Sequence, residues 1–444
     1  MAYEDLVHWM FSLERFGIKL GLENMTEFLS RIGNPHRNFK SVHIAGTNGK
    51  GSVCAFLASI LSENGLEVGL YTSPHLMDFR ERIKVNDSMI SQEDVVRIGN
   101  ELRVAMESMA DESSEKQLTF FEFTTGLAFR YFDEQRVDIA IVEVGMGGRL
   151  DATNLITPEV AGITRVGLEH TAYLGRTLQD IAREKAGIIK DGVPIVTCED
   201  DPEVLSVFEN IGNRKGSMLK LKDRDFSFEN RRLTADGSVF DYRGSRSLEE
   251  LRISLMGEHQ VENAAMAIAL SEELAAKGFE VSDESIRTGL SQTVWRGRLE
   301  ILSKDPLILL DGSHNPVGVE TAVRALARLD LTPLIYVVAC MNDKDAAGVI
   351  RALSPTAERI IITQVDTKRS MKVAELHSIS ERFWSRDIIA TDNADEALKI
   401  AMTIHGKGVA KGVCFIGSLY LVGEVMKLLD KNPDLFAMRG THNV

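Results

Sequence analysis

A chain of 444 residues is too long for one hydrophobic core and calls for two or three domains. Hydrophobic residues at 44% and charged residues at 26% are ordinary for a globular protein, and a formal net charge of -14 leaves no basic surplus to neutralise phosphates, which excludes broad nucleic-acid binding. The stretch up to Leu20 lacks the apolar core of a signal peptide and no segment is apolar for long enough to span a membrane, so no membrane partner is expected and cytoplasm is the expected location.

Val42–Ala45 reads as a buried strand running into Gly46-Thr47-Asn48-Gly49-Lys50-Gly51-Ser52, with a helical run from about Val53 to Gly65. Strand, glycine-rich turn with Lys and Ser, then helix is the arrangement that cradles phosphates. Glycines let backbone N–H groups approach the oxygens, Lys50 would meet the β- and γ-phosphates, and Ser52 would place a hydroxyl on Mg²⁺. Gly51 separates Lys50 from Ser52, a departure from G-x-x-x-x-G-K-[ST], and the segment alone also reads as a plain strand–helix turn. Cys54 is the first of four scattered cysteines, followed by Cys198, Cys340 and Cys414, none in a C-x-x-C pair; buried free thiols are expected.

Thr119 and Glu122 read as a capping box before an apolar helix. The strand Val137–Val144 follows, apolar except for Asp138 and for Glu143 near its C-terminal end, the edge where ligands gather in open α/β sheets. A Glu there is often only solvated, but the glycine cluster directly after it favours a metal ligand. His170 follows the strand Val160–Val166; a neutral imidazole can bind metal, although a lone His at a strand end is more often structural. Thr177 and Asp180 mark a helix start, and Leu178, Ile181 and Ala182 form its apolar face. Lys185 falls on that face one turn later, where a bare ammonium is costly unless the side chain snorkels to water.

Val193–Thr197 is the next strand, and Asp223–Ser247 reads as a hairpin or meander. The segment Gln292–Glu300, containing Trp295-Arg296-Gly297-Arg298, sets an expected boundary near residue 297, giving domains 1–297 and 298–444. A fresh strand–helix series then runs through Leu307–Leu310, Leu334–Ala339, Ile360–Thr363 and Val413–Ile416. Continuous apolar runs spaced by helices read as buried parallel strands. The expected fold is α/β: a phosphate-loop ATPase domain, then a smaller Rossmann-like domain without a dinucleotide fingerprint.

Ala45–Ser52 resembles the ATP loop of the Mur ligase superfamily, in the version seen in folylpolyglutamate synthases and dihydrofolate synthases. Thr72-Ser73-Pro74-His75-Leu76, the run from Glu143 to Asn154, Glu184-Lys185-Ala186-Gly187-Ile188, the run from Asp311 to Pro316, and Gly417-Ser418 continue the series, so the resemblance covers almost the whole chain. It implies ATP as co-substrate, held by Thr47, Asn48, Gly49, Lys50, Gly51 and Ser52, with Asn263 at the adenine and Arg298 and Asp311 reaching the nucleotide from the second half, in a cleft between domains. It implies two Mg²⁺ ions, with Ser52, Ser73, Glu143 and His170 as ligands, and a CO₂-derived carbamate on Lys185. Lys50, Lys185, His170 and Arg298 form the implied catalytic set.

For the pterin, the resemblance implies a pocket lined by Leu20-Gly21-Leu22, Thr119-Phe120 and Leu150-Asp151-Ala152. Asp151 could pair with two donors of the amino-pyrimidine edge. His314 and Ser418 would bind incoming L-glutamate. The family usually has Pro before Gly297, where this chain has Arg296, which points to a looser hinge or an added phosphate or substrate contact. The implied activity is a ligase, monomeric as in the family: ATP phosphorylates the carboxylate of dihydropteroate or a reduced folate, and glutamate attacks the acyl phosphate. Rival readings are another Mur-type ligase with a different acceptor, whose cell-wall version the folate-type motif order argues against, an ATP-hydrolysing switch that does not ligate, which the second-half motifs argue against, and a small-molecule kinase, which would leave a stable phosphorylated product and no amide.

Overall fold

The computed structural model describes residues 2–431 apart from Ile18 and Leu20. Residue contacts divide it into two units, neither continuous in sequence. The first takes in the chain up to Arg231, then Val239–Ile253 and Gln260–Thr293; the second has Arg232–Ser238, Ser254–His259 and the chain from Val294 onward.

The first unit is built on an eight-stranded sheet: β1 (Lys40–Ala45), β2 (Val68–Tyr71), β3 (Ile83–Val85), β4 (Ser88–Met89), β5 (Ile139–Glu143), β6 (Val160–Ile163), β7 (Ile195–Thr197) and β8 (Leu219–Leu221). Their order is β4-β3-β2-β5-β1-β6-β7-β8. β1 pairs in parallel with β5, Ile44 opposite Glu143, and with β6, Ala45 opposite Ile163. Every residue of β1 after Lys40 is buried, as a strand covered on both faces requires. The central edge of the sheet thus carries the glycine loop, Glu143 and the segment leading to His170.

The edge pair β3–β4 is antiparallel. Its turn, Asn86 and Asp87 with φ of 45° and 64°, supplies the two left-handed residues a tight hairpin needs. The expected meander is a three-stranded sheet of β9 (Ser227–Thr234), β10 (Gly237–Arg243) and β11 (Ser247–Ile253), running six residues past the expected end. The helix after the phosphate loop spans Lys50–Glu63, three residues earlier than expected. Gly49, with φ of 88°, takes the N-cap position, so the turn is complete before Lys50.

The second unit has β12 (Glu300–Lys304), β13 (Leu307–Leu310), β14 (Leu334–Val338), β15 (Ala357–Ile362), β16 (Ile388–Ala390) and β17 (Gly412–Ile416), in the order β12-β13-β17-β14-β15-β16. Only β12 is antiparallel to its neighbour. The four expected runs form β13, β14, β15 and β17; the short edge strands β12 and β16 were not legible as apolar runs. The four cysteines are free and buried, and no described helix is long and apolar enough to cross a membrane.

Candidate active site

The glycine loop folds against two side chains. Gly46 has φ of 144° and a Cβ there would stand 1.7 Å from Thr164 Oγ1; Gly49 has φ of 88° and a Cβ there would stand 2.5 Å from Asn263 Oδ1. At Gly46 the clash extends to Thr164 Cβ, and at Gly49 the left-handed φ disfavours any residue with a side chain. Contacts from the end of β6 hold the loop: Thr47 N–H donates to Arg165 O at 3.0 Å, Gly167 N–H to Thr47 Oγ1 at 2.9 Å, and Thr164 Oγ1 to Asn48 O at 2.7 Å. The first turn of the following helix then presents backbone N–H groups and the positive end of its dipole, an anion site. Lys50 Nζ reaches back to Gly46 O at 3.2 Å and Thr47 O at 3.3 Å. Asn263 lies on a buried face of the helix Glu258–Ala276, its amide donating to Gln260 Oε1 at 3.0 Å, rather than at a cap or a solvated turn.

Lys185 ends the helix Leu178–Lys185, whose start is capped by Thr177 accepting from Asp180 N–H at 3.1 Å. The expected apolar face is buried at Ile181 and Ala182, and Lys185 with them at 3% exposure. Its Nζ does not snorkel: it donates to Gly46 O at 2.8 Å, the carbonyl that Lys50 also meets. Burial, and then the Lys50 charge, bring its pKa down from 10.5 to about 7, against the opposing pull of Glu169 and Asp151. A sizeable fraction of neutral amine therefore stands beside the phosphate loop at physiological pH.

The segment after Glu143 is clamped to the end of that helix. Gly148 leaves no room for a Cβ, which would stand 2.9 Å from the carbonyl oxygens of Glu184 and Lys185. Arg149 N–H donates to Glu184 O at 2.8 Å and its guanidinium to Glu184 Oε1 at 2.8 Å. Asn154 donates to Arg149 O at 3.0 Å and Gly187 O at 3.1 Å, and Lys190 Nζ to Asn154 O at 2.8 Å. Asp151 turns into its own loop: it accepts from Met146 N–H at 2.9 Å, Thr153 N–H at 3.0 Å and Thr153 Oγ1 at 2.5 Å. Of the roughly four lone-pair positions on a carboxylate, these contacts occupy both oxygens from within the loop itself.

Glu143 is 5% exposed and its Oε2 accepts from Ser73 N–H at 3.0 Å. Ser52 is buried in the first helical turn. His170, with φ of 50°, stands at the N-cap position of the short helix Thr171–Leu174 without a side-chain cap bond, and its Nε2 lies 3.8 Å from Glu169 Oε1. Among the described residues no three of His, Cys, Asp and Glu converge into a metal-binding group. One buried carboxylate hydrogen-bonded to the Ser73 backbone suits Mg²⁺, which is held by one or two carboxylates together with waters and substrate phosphates; it does not suit a closed zinc cage.

Around the helix Phe120–Gln135 the expected capping box is present, Thr119 and Glu122 exchanging hydrogen bonds of 2.8 and 3.2 Å. Phe120 stacks on Phe11 at 5.0 Å and shares a core cluster with Ala152. Gly21 and Glu122 line one small cavity, and Leu22 precedes the helix Glu23–Arg31 as its N-cap. Leu150 is half-buried in the loop before Asp151; Leu20 lies outside the described residues.

In the second unit, Asp311 and Ser418 stand just past the ends of β13 and β17. Asp311 accepts from Leu299 N–H and Ser313 N–H, each at 2.9 Å. Gly417 N–H donates to Ser313 O at 3.0 Å, His314 Nδ1 lies 2.9 Å from Gly312 O, and Ser418 Oγ accepts from Tyr420 N–H at 3.1 Å. Arg298 Nη1 would lie 3.2 Å from a Cβ at Gly312. The four residues therefore gather at one sheet edge. Arg296 pairs with Glu300 at 2.5 Å, and Gly297 N–H donates to the same carboxylate at 2.7 Å, so Arg296 is engaged inside its own segment.

Residues 44–271 match the family described as Mur ligase middle domain, and residues 297–419 match Mur ligase, glutamate ligase domain. The dihydrofolate synthase/folylpolyglutamate synthase of Bacillus subtilis is 37% identical over 96% of this chain and 99% of its own length. The chain is a Mur ligase of the folylpolyglutamate synthase and dihydrofolate synthase family. The solved folylpolyglutamate synthase of Thermotoga maritima superposes with a TM-score of 0.83 at 36% identity, covering 98% of this chain and 99% of that one. The Mycobacterium tuberculosis folylpolyglutamate synthase, solved in complex with ADP and AMPPCP, gives 0.90 at 30% identity, covering 95% and 98%.

Three buried polar residues of this Mur ligase are given no role by the sequence motifs: His43 inside β1, Thr153 in the loop after β5, and Thr164 just past β6. Thr164 carries no signal beyond its place after β6. His43 did carry one, a lone polar residue in the run Val42-His43-Ile44.

Proposed function

We propose that this chain is an ATP-dependent ligase that adds L-glutamate to the carboxylate of dihydropteroate, of reduced folates, or of both. The observation that carries the reading is Lys185, buried and largely stripped of its charge preference, lying against a glycine loop whose own lysine meets the same carbonyl. Neutral amine is the form that reacts with CO₂: nitrogen attacks carbon, one proton leaves, and a carbamate anion replaces a half-charged ammonium. That product supplies negative charge beside the residues suited to Mg²⁺, which when bound would neutralise phosphate charge. Glu143, Ser73 and Ser52 would hold the ion, with His170 at the rim.

Lys50 and the helix N–H groups hold the phosphates of ATP in this reading, and Asn263 meets the base. Transfer of the γ-phosphoryl group to the substrate carboxylate gives an acyl phosphate and ADP. The amine of glutamate then attacks the acyl carbon, an amide forms and phosphate leaves. Positioning and charge stabilisation account for the acceleration, and no side-chain nucleophile is required. Gly21, Leu22, Thr119, Phe120, Leu150 and Ala152 would line the pterin pocket. Arg298 and Asp311 would contact nucleotide, and His314 and Ser418 the incoming glutamate.

The test is phosphate release from ATP and Mg²⁺, with and without glutamate, using dihydropteroate or tetrahydrofolate, with products weighed by mass spectrometry. Glutamate-dependent release and a product heavier by one glutamate residue are expected with at least one donor. Release that ignores glutamate, or none with either donor, would overturn the assignment.

A further inference from the structure

We infer that His43 is a positioning residue for the pterin-side loop: through Thr153 and Asp151 it ties the strand that carries the phosphate loop to residues 145–155. The inference rests on the reading of that loop as part of the acceptor pocket. His43 sits in the middle of β1, opposite Val142 of β5 and Ala161 of β6, with no exposed surface. Its Nε2 lies 2.8 Å from Thr153 Oγ1, and Thr153, equally buried, donates that hydroxyl to Asp151 Oδ1 at 2.5 Å. A hydroxyl has one proton. With it given to Asp151, the oxygen accepts from His43, which fixes the Nε2–H tautomer. Nδ1 is then a bare acceptor, and it is buried without a hydrogen-bond partner. Burial, with Lys190 nearby, keeps the imidazole neutral, its pKa down at about 3.

An apolar residue would fill this position without the cost of a buried, half-satisfied ring. What the ring adds is one directed hydrogen bond at the end of a chain of three. Asp151 caps the short 3-10 helix Ala152–Leu155 through Thr153 N–H. Its other oxygen holds Met146 N–H, three residues past Glu143. Asp151 N–H reaches Gly148 O at 3.2 Å, and Gly148 is the residue packed on the carbonyls of Glu184 and Lys185. The loop is therefore tied to the Lys185 helix on one side and, through Thr153, to His43 of β1 on the other. Slack at His43 moves the residues proposed to line the pterin pocket while leaving the Thr47 and Thr164 contacts of the phosphate loop in place.

Three variants test this: His43→Leu, which removes the donor; His43→Gln, whose amide N–H can stand where Nε2–H does; and near-isosteric Thr153→Val, which breaks both links and serves where His43→Leu does not fold. Losing one buried hydrogen bond of this kind is expected to raise KM for the pterin carboxylate ~5–30-fold, with KM for ATP little changed. His43→Gln should recover most of the loss, and the double variant His43→Leu/Thr153→Val should be no worse than Thr153→Val alone. Amide exchange of the ligand-free protein should quicken over residues 145–155 and 184–188 and stay unchanged over 50–63. Additive losses, equal rises in both KM values, or no rescue by His43→Gln together with unchanged exchange would overturn the inference. The exchange pattern needs no turnover, so it decides His43 even where a parent enzyme without glutamate-dependent release would refute the proposed activity.

Discussion

Replacing Lys185 with methionine removes a group the fold holds at a cost. Its pKa falls from 10.5 to about 7 on folding, so between those values the unfolded chain binds the extra proton and stability rises with pH. At neutral pH the depression amounts to about 4 kcal/mol against the folded state. The hydrogen bond to Gly46 O returns about 1 kcal/mol of that. Lys185→Met, similar in volume and apolar among Ile181 and Ala182, should therefore be more stable than the parent by about 3 kcal/mol near pH 7, and inactive. The gap should narrow by about 2 kcal/mol on going to about pH 9, as the unfolded lysine comes closer to losing its proton. The assay is urea denaturation of both proteins across that pH range in CO₂-free buffer. A gap that stays constant with pH, or a variant less stable than the parent, would refute the reasoning. Added bicarbonate should then stabilise the parent and leave the variant unchanged; equal responses would remove the carbamate.

Gly46→Ala would place a Cβ 1.7 Å from Thr164 Oγ1 at a φ of 144°, so the loop must move; a displacement of this size is expected to cost ~100-fold or more in phosphate release, and calorimetry with a non-hydrolysable ATP analogue should show lost binding. Glu143→Gln keeps an acceptor for Ser73 N–H but removes the charge. Its midpoint of thermal unfolding should stay near the parent's while the Mg²⁺ concentration for half-maximal release rises about tenfold or more; unchanged Mg²⁺ dependence would remove Glu143 from the metal site.

What lies close together in the chain was legible from the sequence alone. The phosphate loop is a local pattern of glycines, Lys50 and Ser52, and the capping pairs Thr119–Glu122 and Thr177–Asp180 are fixed by spacing of three residues. Helical periodicity alone placed Lys185 on the apolar face of its helix, and continuous apolar runs located β1, β5, β6 and β7 in one sheet and β13, β14, β15 and β17 in the other, but not the inner strand β2. Tertiary structure decided what those faces meet. That Lys185 reaches Gly46, 139 residues away, and that β17 inserts between β13 and β14 were decided only by the closed fold. A pattern of apolar residues states that a face will be buried; it does not state against which partner, because burial is non-directional and only the closed fold selects the hydrogen bonds that satisfy the polar groups carried inside with it.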